Sequence, residues 1–242
     1  MKGQCAVAGL LLGLIAALSI AAAGLGTRWG EWDFRTGFAI LKYAAYGGAV
    51  AIVVSLVGGV AAWRGSRRYG IVAATAGVLL GALALGVPWS WARCARHVPA
   101  IHDITTDTEN PPRFAAVLAL RKDAPNSADY GGPELAQKQR AAYPDLRPLE
   151  LNIPPNRAFE RAAAAARTLG WKIVDANAGE GRIEATDTTF WFGFKDDVVV
   201  RIAADGQGCR VDVRSVSRVG VSDVGTNARR IRKFLNELSR SG

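Results

Sequence analysis

The chain has 242 residues, half of them hydrophobic, and a formal net charge of +9. The excess is split between unlike regions: the first 91 residues carry seven basic and two acidic side chains, and the remainder 23 and 19. With half of the excess in an apolar segment and the rest interspersed with acids, no basic stripe exists, and nucleic acid is excluded as a partner. The three cysteines, Cys5, Cys94 and Cys209, have no C-x-x-C spacing, so neither a zinc site nor a redox pair is expected. A Cys94–Cys209 disulfide is open only in an oxidising compartment.

Three apolar runs, about residues 5–25, 38–63 and 69–91, each reach the ~20 residues needed to cross a bilayer. They define a transmembrane region over residues 1–91. Trp29, Trp32, Trp63, Trp89 and Trp91 fall at the run ends, where indole rings settle at headgroup depth. Gly77-x-x-x-Gly81 predicts close packing among these helices. Arg64, Arg67 and Arg68 crowd the short second loop, which is expected to be cytoplasmic, and Lys2 agrees with a cytoplasmic N-terminus. The third helix then exits outward. The expectation is a multi-pass inner-membrane protein with residues 92–242 in the periplasm. A pathway through the helices is disfavoured by the near absence of ionisable groups at mid-depth.

Residues 92–148 read as an extended, proline-rich lead-in with a short helix near Glu134–Ala142. His97, His102, Asp103, Asp107 and Glu109 are metal-capable in type but lack a compact ligand spacing, so no metal or other cofactor is expected.

Residues 149–242 read as an α+β core. A strand at Leu149–Ile153 leads into a helix opened by Pro154-Pro155, with Phe159, Ala162, Ala163, Ala166 and Leu169 as its inner stripe. A hairpin follows around Asn177–Gly181. A second hairpin flanks Asp205-Gly206-Gln207-Gly208, closing on Gly206-Gln207 or on all four residues. Both closures pair Ile202 with Val211, Val200 with Val213 and Val198 with Ser215 on one face. Arg201 then faces Asp212, Val199 faces Arg214 and Lys195 faces Arg218, with Asp197 diagonal between Arg214 and Arg218. One buried, apolar face and one charged face are expected. Ser222 or Asp223 is the candidate N-cap of a last helix with the stripe Val224, Ala228, Ile231, Phe234 or Leu235, and Leu238. The order β-α-β4-α predicts a single twisted antiparallel sheet with helices on one face, like the helix-grip arrangement of TATA-binding-protein-like folds.

Three polar sets are candidates for function. Lys195, Asp197, Arg201, Arg214, Ser217, Arg218, Asp223, Asn227 and Arg230 suit an anionic or polar ligand, against the plainer reading of cross-strand pairing. The basic run Arg229, Arg230, Arg232 and Lys233 suits either the helix dipole or anionic lipid headgroups. His102, Asp103 and Asp107 form the alternative site. With Ser215, Ser217, Asp196 and Asp223 it would make an envelope-acting hydrolase, if a base lies beside a serine.

His102-Asp103-Ile104-Thr105-Thr106-Asp107 with Asn110-Pro111-Pro112-Arg113-Phe114 resembles the opening of the domain of unknown function 1499 family. Phe192-Gly193-Phe194-Lys195-Asp196-Asp197 resembles its middle, and Arg214–Gly220 with Asp223, Gly225, Asn227, Arg230 and Ile231 its end. The resemblance implies a domain carried behind membrane segments; it implies no activity and supplies no catalytic residue. The reading from the residues is a membrane-anchored outer domain that binds a small polar or lipidic ligand or an envelope protein, with membrane lipid as its surroundings.

Overall fold

A computed structural model of the chain describes residues 4–240. Lys2, used above for orientation, lies outside them. The chain divides into two units. One comprises the chain up to Cys94 together with Phe190–Gly193; the other comprises Ala95–Thr189 and the chain from Phe194 onward.

The first unit is built on three helices: α1 (Gln4–Trp29), α2 (Phe34–Arg64) and α3 (Arg68–His97). Their most apolar stretches have mean hydropathies of 2.4, 1.9 and 2.2, and each helix is long enough to cross a membrane. All three run past the apolar stretches. Asp33 caps α2 by accepting bonds from the backbone N–H groups of Arg35 (2.6 Å) and Thr36 (3.0 Å). The third helix was expected to end at Trp91 but continues to His97, stopping where Val98 precedes Pro99. The expected glycine packing is present. A Cβ at Gly77 would overlap Ser55 Oγ of α2 and lie 2.9 Å from the backbone of Gly9 in α1; one at Gly81 would lie 2.6 Å from the Gly48 carbonyl oxygen.

Phe190–Gly193 belong to this unit as an aromatic finger. Trp191 lies where a side chain on Gly24 would overlap its indole, and its Nε1 donates to the Ala21 carbonyl at 3.3 Å. Its ring meets Trp91 edge-on at 5.3 Å, while Phe192 lies 5.2 Å from the Phe38 ring. Arg28 Nη1 donates to the Phe190 carbonyl (2.7 Å).

The second unit holds six strands in one antiparallel sheet: β1 (Asp103–Thr105), β2 (Leu149–Leu151), β3 (Lys172–Asn177), β4 (Arg182–Thr188), β5 (Lys195–Asp205) and β6 (Gly208–Ser217). The order is β1-β6-β5-β4-β3, and β2 shares the outer edge of β6 with β1. The β5–β6 register is the one expected, with Ile202 opposite Val211, Val198 opposite Ser215 and Arg201 opposite Asp212. Asp205 pairs with Gly208, so the turn is Gly206-Gln207, with Gly206 at a φ of 57° that disfavours any side chain.

Three helices complete this unit: α4 (Gly132–Ala142), α5 (Pro155–Thr168) and α6 (Thr226–Arg240). One sheet face packs on α5 and α6, burying Val198, Val200, Val211 and Val213 against the alanines of α5 and against Ile231, Phe234 and Leu238 of α6. Trp171 stacks on Phe234 with ring centroids 5.0 Å apart.

Two expectations are corrected. The charged sheet face is covered, not open: Phe114 and Val117 pack on Val199 and Val216, and Asp197, Asp212 and Arg214 are at most 2 % exposed. The cover is supplied by the lead-in segment, through Phe114 and a 3₁₀ helix (Ala116–Arg121), while its β1 pairs with β6. The last helix begins at Thr226, later than expected, and Val224 stands outside it with a left-handed φ of 52°. Asp223 still acts as a cap, since its carboxylate accepts from the N–H groups of Gly225 (2.8 Å) and Asn227 (2.7 Å).

Candidate functional site

The arginines on the covered sheet face each meet an acid. Arg214 donates from Nε and Nη2 to both oxygens of Asp103 (2.9 and 2.8 Å), with further bonds to the Pro112 and Ala128 carbonyls. Phe114 and Tyr130 supply ring faces to the same guanidinium. Burial, with Asp103 nearby, pushes the Tyr130 phenol up to about 12.

Asp197 sits at a second centre, where it accepts from Arg218 Nη2 (2.8 Å), Thr186 Oγ1 (2.7 Å) and Arg121 Nη1 (2.7 Å). Burial alone would push its carboxyl up, but the bonds from Arg218, Thr186 and Arg121 outweigh that and hold it below its ordinary value. A third centre joins Asp107 and Asp212 to Arg201 and Arg210.

The fourth centre lies under the start of α6. Arg230 donates to Asp187 from Nε (2.7 Å) and to Asp196 from Nη2 (2.6 Å), and bonds Asn227 Oδ1 and Ser215 Oγ through Nη1. Asn227 turns its amide nitrogen to the His102 carbonyl (2.9 Å) and Ser217 Oγ (3.0 Å). Burial pushes the neighbouring Asp223 carboxyl up, with Asp196 adding to the effect.

Beside this fourth centre is a recess of about 190 Å³, lined by Leu169, Trp171, Asp187, Thr226, Arg229, Arg230 and Lys233. Arg229 is exposed and spends one hydrogen each of Nη1 and Nη2 on Val224 O (3.1 Å) and Thr226 Oγ1 (3.0 Å). Lys233 is also exposed, and its ammonium makes no hydrogen bond or ion pair among the described residues.

The expected ligand set is therefore distributed over several centres. Arg230, Asn227, Ser217 and Asp223 come together at the fourth; Asp197 and Arg218 share the second; Arg214 and Arg201 belong to separate pairs. Lys195 is exposed beside Thr188 at the start of β5. The alternative trio is not assembled. Asp103 is taken by Arg214, Asp107 by Arg201 and Arg210, and the His102 ring lies 3.4 Å from the Val221 carbonyl oxygen. The Ser215 hydroxyl donates to Asn227 and not to an imidazole. Among the described residues, no three His, Cys, Asp or Glu side chains group as metal ligands would.

Sequence reasoning missed three buried polar anchors. Glu184 accepts three backbone N–H groups, from Ala115 (2.9 Å), Ala116 (3.1 Å) and Val117 (2.9 Å), holding the 3₁₀ helix on the sheet. Gln139 of α4 bonds both backbone groups of Thr105 (2.9 and 2.6 Å), satisfying the free edge of β1. Arg121 completes the Asp197 centre. The only signal for Glu184 was its place between Ile183 and Ala185, where the other face of the strand had to meet something.

The motif residues quoted from the sequence now have partners. Asp103 grips Arg214, Phe114 covers it, and Asp196, Ser215, Ser217, Asn227 and Arg230 form one network. A family model described as "Protein of unknown function (DUF1499)" matches residues 103–238, the span that contains all of these pairs. Among curated proteins none matches the chain. With more than half of its length under that match, and with the matched motifs interlocked in one folded unit, the chain belongs to the DUF1499 family of proteins of unknown function.

Proposed function

We propose that this chain is a membrane-anchored binding module of the cell envelope, spanning the inner membrane three times with its second unit on the periplasmic side. The orientation is supported by Arg64, Arg67 and Arg68 around the short α2–α3 loop, which the excess of cytoplasmic positive charge puts inside. The binding reading is carried by one observation: nearly every buried charge is committed to a fixed internal partner, while Arg229 and Lys233 hold unspent donors over a concave recess. Satisfied ion pairs give a rigid wall, and a rigid wall with free cations suits capture of a small anionic or polar molecule. Of the residues expected to meet ligand, Arg230 borders this recess directly, and Asp223, Asn227 and Ser217 support it from behind.

The test is purification of the whole protein from its native membrane, with identification of what stays bound. A molecule retained by the wild type and lost from Lys233→Ala supports the reading. An empty wild-type protein, or identical contents in both, defeats it. A reporter fused to the C-terminus tests the compartment separately, and cytosolic behaviour of that reporter would reverse the orientation.

A further inference from the structure

Resting on the binding reading above, we propose that the recess beside α6 takes a phosphorylated polyol, with the phosphate on Arg229 and Lys233 and a hydroxyl on Asp187. Arg229 and Lys233 are four residues apart on one helix, so their like charges repel across the mouth of the recess unless an anion lies between them. Among the described residues neither forms an ion pair with an acid, although Asp187 lines the same recess. Arg230 is already committed to Asp187 and Asp196, and the helix N-terminus to the Asp223 carboxylate, so the attraction comes from the two exposed side chains and not from the dipole.

Asp187 makes the site more than an anion hole. Arg230 holds its Oδ2, while Oδ1 accepts no hydrogen bond among the described residues, and the side chain is 29 % exposed. A bare phosphate would be repelled by that carboxylate. A hydroxyl carried next to the phosphate would instead donate to it, which converts the repulsion into selectivity. Arg229 suits a phosphate because its unspent Nε and Nη hydrogens form a planar fork, and Lys233 adds a mobile point charge. The recess measures about 190 Å³, and Leu169 and Trp171 offer an apolar wall for the carbon skeleton. Such a group exists both as free glycerol phosphate and as the headgroup of a glycerol-phosphate lipid.

The test uses the full chain in phosphatidylcholine nanodiscs, titrated by calorimetry with glycerol 3-phosphate, methyl phosphate, inorganic phosphate and dihexanoyl phosphatidylglycerol. The expected result is glycerol 3-phosphate binding at least tenfold more tightly than methyl phosphate or inorganic phosphate, and weakening by about tenfold in Lys233→Ala and in Arg229→Ala. Tighter binding of dihexanoyl phosphatidylglycerol, with the same sensitivity to the variants, identifies the lipid as the source; weaker binding identifies the free polyol phosphate. Equal affinity for all phosphates overturns the polyol assignment, as does binding that both variants leave unchanged. If no phosphate binds while the native membrane preparation still yields a Lys233-dependent molecule, the ligand class falls and the binding reading stands.

Discussion

Asp187 and Asp196 stand directly opposite each other on β4 and β5, two like charges in the position where they destabilise a sheet most. Arg230 reaches from α6 and bonds one oxygen of each, at 2.7 and 2.6 Å. The last helix is thereby tied to the sheet by a charge that the sheet requires. Replacing Arg230 by Met leaves the carboxylates facing each other without compensation and should destabilise the protein by about 3–5 kcal/mol. Adding Asp187→Asn and Asp196→Asn to that variant should restore part of the loss. Thermal unfolding of the full chain in detergent reads the cycle, and simple additivity of the changes would contradict the account.

Asp103 and Arg214 make the equivalent tie on the other face of the sheet, with side chains 5 % and 3 % exposed. Asp103→Ala strands a buried guanidinium between two aromatic rings, again at a cost of about 3–5 kcal/mol. Arg214→Lys should not rescue function of the pair, because an ammonium cannot bond both carboxylate oxygens and the Pro112 and Ala128 carbonyls together. A melting temperature within a degree or two of wild type for either variant would count against a tight pair.

Acid should act through Asp197 and Asp223 with opposite signs. Unfolded, each carboxyl titrates near 3.8. Asp197 is held lower when folded, so its stabilising contribution is complete above 3.8 and is lost as pH falls through the lower folded value. Asp223 is held higher when folded, so its contribution favours the folded state in acid and fades as pH rises from 3.8 through the raised value. Asp197→Asn should flatten the low-pH loss of stability, and Asp223→Asn the loss just above it. Denaturant midpoints measured between about pH 2 and 6 separate the two slopes.

Gln139 satisfies both the N–H and the carbonyl of Thr105, which would otherwise be a bare strand edge under α4. Gln139→Ala should cost about 1–3 kcal/mol through the two unsatisfied backbone groups. Gln139→Glu should be no better, since its carboxylate offers no donor to the Thr105 carbonyl. Hydrogen exchange at the Thr105 amide is the direct readout for Gln139→Ala, with faster exchange expected because the acceptor Oε1 is gone.

In the helical unit, Trp191 fills the space that Gly24 leaves open. Trp191→Ala should destabilise this unit through loss of a half-buried indole and its ring contacts, and Gly24→Leu should displace the indole by overlap. Loss of the Trp191–Trp91 edge contact should appear as a change in near-ultraviolet dichroism. An unaltered spectrum in Gly24→Leu would contradict the close approach.

The sequence by itself determined the features that depend on local pattern. Twenty-residue apolar runs could only be long apolar helices, because an unsatisfied backbone is too costly in lipid. Alternation around Gly206-Gln207 allowed a single register for β5 and β6, since a slip of one residue would turn Val198, Val200 and Ile202 away from the core. The alanine stripe of α5 and the stripe from Ala228 to Leu238 were legible for the same reason. Only the tertiary structure decided what the charges are for. Arg214 and Asp103 are 111 residues apart, as are no two groups that periodicity can relate. Whether a charged strand face meets water or a covering segment depends on where residues 106–131 fold, and nothing in the local pattern of β5 and β6 records that. The same holds for the recess: Arg229 and Lys233 were visible as a basic run, but the concavity between them and Asp187 exists only once β4 and α6 have packed together.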